Sequence, residues 1–139
     1  MTEVSFTQMK DGTQADYKML EQLETNHIRG LPDRVLTALA ALSDGLAGYK
    51  IDRLQHSLQT ATRAQADGAS VDWIVAALVH DIGDDLAPLS HSEFAAALLK
   101  PFVSEEIVWV VEKHGLFQAY YYAHHTGGDR HARDKYKGH

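Results

Sequence analysis

Seven consecutive apolar residues, Trp73 to Val79, run directly into His80-Asp81, with Gly83 just beyond. A helix through that run is apolar nearly all round, which makes it central and buried. It delivers an imidazole and a carboxylate at its C-terminal end, where leaving either unpaired is costly. Three more histidines stand around the pair. His56 lies 24 residues before His80, His91 lies 10 after Asp81, and His114 lies 23 after His91. A lone histidine near an apolar run is usually a hydrogen-bonded core or surface residue. The ordered set is different: four imidazoles and one carboxylate on successive helices suit divalent ions and can hold two of them.

The rest of the chain reads as helices with short breaks, and no strand pattern or internal repeat is visible. Asp16 to about Asn26, with Tyr17, Leu20 and Leu23, forms one amphipathic helix. Asp33 to Leu46 forms a stronger one, with Val35, Leu36, Leu39, Leu42 and Leu46 at helical spacing. Asp52 is expected to cap a helix that carries His56 and ends at Gly68, and Ser70 to cap the next. After the polar loop Asp84 to Leu89, Ser90-His91-Ser92-Glu93 reads as a capping box that puts His91 in the first turn of a helix stopping before Pro101. Ser104, Glu105 and Glu106 open a further helix, Ile107 to Lys113, with His114 near its end. Phe117 to His125 is expected to continue helically after Gly115. Thr126 to His139 is a polar, basic tail. The expectation is an all-α fold in one domain, residues 1–139.

Composition narrows the chemistry. The formal net charge of -6 argues against nucleic acid as a partner, since phosphate backbones want a basic face. The absence of cysteine excludes thiolate zinc sites, iron–sulfur clusters and a cysteine nucleophile from this chain. Met1 to Lys10 has no apolar signal-peptide stretch, and no apolar run approaches the ~18 residues of a membrane span. A cytoplasmic location without a membrane partner is the expectation.

The stretches LQHSLQTA, AALVHDIGD, HSEFAAALL and VVEKH resemble the HD-domain superfamily. More narrowly, they resemble its mixed-valent diiron oxygenases, which include enzymes that cleave 1-hydroxyphosphonates and, more distantly, myo-inositol oxygenase. The likeness covers Tyr49 to Gln118. The HD pair alone is a weak signal. The ordered set is more specific, because single-metal HD phosphohydrolases lack the two later histidines. The resemblance implies an HD-domain helical bundle with a dinuclear centre of two iron ions, Fe(II)/Fe(III), and O2 as co-substrate. It implies that His56, His80 and Asp81 hold one iron, with Asp81 bridging, and that His91 and His114 hold the other.

The chain departs from that pattern in several places. The family's late aspartate ligand has only Asp129 and Asp134 as counterparts, both closer to His114 than the family places it; either one of them substitutes or, the favoured expectation, the sequence stops short of the family's C-terminal helices. The family's tyrosine lid and glutamate, ten and seven residues before the first histidine, fall here on Leu46 and Tyr49, which leaves Tyr49 as the candidate lid beside the catalytic His80 and Asp81. The family lysine four residues after the last histidine is replaced by Gln118.

By resemblance, the position four after the HD histidine contacts substrate. Here it is Asp84, which favours a cationic substrate end unless it is a solvated loop residue or helix cap. Tyr120, Tyr121 and Tyr122 offer aromatic faces to a quaternary ammonium group, although consecutive residues on a helix do not share a face. Gly127-Gly128 can form an amide nest, and Arg130, Arg133 and Lys135 can meet a phosphonate. His125, with His124, can hydrogen-bond an oxyanion. The candidate substrate-binding set is therefore Asp84, Gln118, Tyr120, His125, Arg130, Arg133 and Lys135.

The leading expectation is organophosphonate catabolism. A zwitterionic phosphonate, 1-hydroxy-2-(trimethylammonio)ethylphosphonate, would be cleaved with O2 to phosphate and glycine betaine. The alternative is a metal-dependent HD phosphohydrolase acting on a nucleotide or small phosphomonoester. A degenerate binding module ranks last, because all five candidate ligands are present.

Overall fold

The computed structural model describes residues 2–139. Its framework is six α-helices: α1 (Gln14–Arg29), α2 (Leu31–Ala41), α3 (Arg53–Ala66), α4 (Val71–Val79), α5 (His91–Leu99) and α6 (Glu105–Gln118). Short 3-10 segments follow α2 at Leu42–Asp44 and α6 at Ala119–Tyr121, Ala123–Thr126 and Ala132–Tyr136. No strand occurs among the described residues, so the fold is all-α. The chain divides into two units, Met1–Ala38 and Leu39–His139.

In the first unit, α1 starts two residues before the expected Asp16 because Thr13 is its cap. Thr13 Oγ1 accepts from the Asp16 amide at 3.2 Å, and the Asp16 carboxylate accepts from the Thr13 amide at 2.9 Å. The same carboxylate accepts from the amide and hydroxyl of Ser5, at 2.9 and 2.7 Å, which ties the preceding extended segment to the helix start. Asp16 is buried, and these three donors, with the Thr13 hydroxyl at 2.9 Å, make that burial affordable.

The second unit holds the four histidines singled out with Asp81. Asp52 caps α3 as expected, accepting from the Gln55 amide at 2.7 Å while Gln55 Oε1 accepts from the Asp52 amide at 3.2 Å. The helix stops at Gly68, whose φ of +78° suits a residue without a side chain. α4 packs on α3 and on α6, and α5 packs on α6. The core lies between them, with Ala76 and Val79 of α4, Ala95 and Leu99 of α5, and Ile107 and Val111 of α6 buried.

Three expectations need correction. α4 does not bury all of its apolar surface: Val71 and Val75 stay exposed, and the helix buries the face of Ala76 and Val79. The capping box at Ser90 does not form. Ser90 has ψ 37°, away from the extended cap geometry, and its side chain makes no cap bond. α5 still begins at His91, because the Ser90 carbonyl accepts from the Phe94 amide at 3.0 Å. Finally, α6 does not stop near Lys113 but continues through His114 and Gly115 to Gln118. Gly115 belongs there because a Cβ would fall 2.9 Å from Ser92 Oγ on α5, so its bare backbone lets the two helices approach.

Candidate metal centre

Asp81 sits just past the end of α4, buried among four imidazoles. His56 comes from the first turn of α3, His80 from the C-terminal end of α4, His91 from the start of α5 and His114 from late α6. One carboxylate oxygen, Oδ2, lies 3.0 Å from His80 Nε2 and 3.3 Å from His56 Nε2. The other, Oδ1, lies 3.1 Å from His114 Nε2 and 3.3 Å from His91 Nε2. The donors therefore form two groups that share Asp81: His56, His80 and Asp81, and Asp81, His91 and His114. All five residues singled out from the sequence are brought together.

Two second contacts set the tautomers. His80 Nδ1 lies 2.6 Å from the Ala77 carbonyl, and His114 Nδ1 lies 2.5 Å from the Val111 carbonyl. A carbonyl only accepts, so each Nδ1 carries the proton, and in the neutral ring each Nε2 presents a lone pair to the cluster. This is how a ligating histidine is oriented. His56 Nε2 and His80 Nε2 are 3.2 Å apart. Two ligands of one ion at about 2.1 Å and a right angle lie about 3 Å apart. The donor set thus fits metal ions on both its spacing and its lone pairs.

Without a cation the cluster relies on protons and on Arg53. Burial raises the cost of charge on Asp81, yet hydrogen bonds from His114 and His80, with the charges of His80 and Arg53, hold its carboxyl well below the ordinary range. Burial also opposes charge on His80, but the adjacent Asp81 outweighs it and the imidazole is shifted upward. His56 shifts downward, through burial first and then repulsion from Arg53 and His80.

Arg53 is the functional residue that the sequence reading missed. Its Nη2 donates to Asp81 Oδ2 at 2.5 Å and its Nε to Asp84 Oδ2 at 3.0 Å. The signal was available: Arg53 stands three residues before His56, which places both on one helix face. Asp84, expected from the sequence to meet a cationic substrate end, here pairs with the chain's own Arg53. It is half-buried, paired with Arg53, and 3.9 Å from His91 Nδ1.

A family model for the HD domain matches residues 53–135. The chain belongs to the HD-domain family. HD proteins are generally metal-dependent enzymes that bind divalent ions, and the match covers all five candidate ligands of this HD domain. No curated protein matches the chain. No helix among the described residues is long and apolar enough to cross a membrane.

The other residues named from the sequence are dispersed around the HD centre. Tyr49 is exposed, and its ring centroid lies 4.9 Å from the Arg53 guanidinium. Gln118 shares a largely apolar cavity of about 420 Å³ with His80, His114, Trp73 and Val111. Lys135 lines a different cavity of about 400 Å³, beside His91 and Lys113. Tyr120 carries Arg130 and Arg133 against its ring. The His125 ring lies against His124, 4.0 Å between centroids. Gly127 and Gly128 form no open nest, since both amides donate to the Ala123 carbonyl. Asp129 and Asp134 belong to neither ligand group. Asp129 accepts from the His131 amide, and Asp134 faces the His131 ring and Lys137.

Proposed function

We propose that this HD domain is a dinuclear iron oxygenase that uses O2 to cleave the C–P bond of a small 1-hydroxyphosphonate, with 1-hydroxy-2-(trimethylammonio)ethylphosphonate as the concrete candidate. One O2 and one substrate give one carboxylate, one phosphate and one proton. The observation that carries the reading is the division of the Asp81 carboxylate, one oxygen to each pair of imidazoles. His56 and His80 would hold one ion, His91 and His114 the other, and Asp81 both. Nitrogen-rich ligation suits a redox-active metal, and a bound Fe(II)/Fe(III) pair would supply the O2 chemistry.

The chain's own residues orient the substrate and exclude water. The cavity beside His91 has Lys113 and Lys135 for an oxyanion, and Glu93, Glu112 and the Tyr122 and Tyr136 rings for a cationic end. Asp84 is paired with Arg53, which also contacts Asp81, so the cationic end is assigned to this cavity instead.

A metal-dependent phosphohydrolase is the second reading, and Arg53 is the observation that favours it. A guanidinium fixed beside Asp81 can stabilise charge developing on a phosphoryl group. Phosphate release by the iron-loaded protein separates the two. Release from the hydroxyphosphonate only when O2 is present, together with glycine betaine, supports the oxygenase. Oxygen-independent release from phosphomonoesters supports the hydrolase. Neither, with two ions bound, overturns both.

A further inference from the structure

We propose that Tyr120, Arg130 and Arg133 build a second ligand site, one that binds a phosphoryl or phosphonyl dianion. The Arg133 guanidinium carbon lies 3.8 Å from the Tyr120 ring centroid and that of Arg130 lies 4.2 Å from it. Stacking on an aromatic ring fixes the plane of a guanidinium while leaving its N–H fork free. Two such forks on one ring are two like charges at close quarters, and no ion pair among the described residues compensates them. Among the described residues, neither arginine has a carboxylate within 4.0 Å, and neither donates a side-chain hydrogen bond. The nearby acids are otherwise engaged, Asp129 by the His131 amide and Asp134 by the His131 ring and Lys137. The Nε of Arg130 is sealed from solvent without an acceptor. A group buried in that way normally has a partner.

An anion with several oxygens and two charges supplies what is missing. It neutralises both guanidiniums and accepts from the Arg133 fork and from the Nη groups of Arg130, whose Nε is sealed from solvent. A monocarboxylate balances only one of the two charges. Among the described residues no hydrogen bond or ion pair joins this trio to the Asp81 cluster, so the site does not depend on the oxygenase reading and would stand beside a hydrolytic centre as well.

The test uses the full chain, stripped of metal with a chelator, and follows its arginine Nε–Hε resonances as inorganic phosphate is added. The Arg130 and Arg133 signals are expected to move saturably with phosphate and to stay in place with acetate at equal ionic strength. Arg130→Ala and Arg133→Ala should each weaken phosphate binding about tenfold or more. His114→Ala should leave it unchanged. Signals that ignore phosphate, or respond equally to acetate, overturn the site. So does phosphate binding that survives both alanine variants or disappears with His114→Ala. If an alanine variant fails to fold, Arg133→Lys keeps the charge without the fork and should lose most of the preference for phosphate over acetate. A preference that persists overturns the proposal too.

Discussion

His114 Nε2 lies 3.1 Å from Asp81 Oδ1, across 33 residues of sequence. The other oxygen of the same carboxylate faces His80 and His56. Removing Asp81 therefore strips a ligand from both positions, whereas removing His114 strips one from a single position. Iron-reconstituted wild-type protein is expected to hold about two ions, His114→Ala about one and Asp81→Ala close to none. Metal analysis after desalting reads this directly. Equal loss in the two variants would mean that Asp81 is not shared.

A metal bound at Asp81 would compete with Arg53 to compensate the same carboxylate. Without metal, Arg53→Met leaves the buried Asp81 and the half-buried Asp84 short of a cation, at a cost of about 3 kcal/mol. With metal bound, the ions compensate Asp81 and the loss should shrink. Chemical denaturation with chelator and with iron measures both values. An identical loss in the two conditions would place Arg53 outside the centre.

Gly83 sets how closely α5 approaches the HD pair. A Cβ there would lie 2.9 Å from Phe94 Cβ and 3.0 Å from His91 Cα, and neither atom is a flexible side-chain end. Gly83→Ala is expected to cost about 1–3 kcal/mol by overpacking. It should also weaken the His91–His114 position more than the His56–His80 position, because His91 moves with α5. A metal titration that loses both positions equally would contradict this.

Asp16 makes the first unit acid-sensitive. The Thr13 amide, with the Ser5 amide and hydroxyl, holds its carboxyl well below the ordinary carboxylate range. A carboxylate lowered on folding contributes stability above its unfolded value of about 4, and that contribution is lost as pH falls through the folded value. Asp16→Asn should lower the melting temperature at neutral pH, and the gap to wild type should narrow below about pH 4. Parallel melting curves from pH 7 to pH 2 would refute the role.

The helices were legible because their signals are local. Asp52 and Ser104 cap within one turn, and Pro101 and Gly68 end their helices through backbone geometry alone. The five candidate ligands were legible for a related reason: an imidazole and a carboxylate at the end of an apolar run need partners, and few other residues qualify. Ser90 shows the limit, since its motif was present but its backbone conformation was not.

From the sequence alone come the all-α class, the order of the helices and the identity of the five side chains that meet. Only the tertiary structure assigned each Asp81 oxygen to its pair of histidines and turned Asp84 toward Arg53. It also sent Lys135 to one cavity and Arg130 and Arg133 to the Tyr120 ring. Those outcomes depend on how closely helices approach at Gly83 and Gly115 and on which charges burial leaves to be paired across some 30 residues. A helical turn is decided by its neighbours in sequence, but a buried charge is decided by whatever packing brings within hydrogen-bond reach.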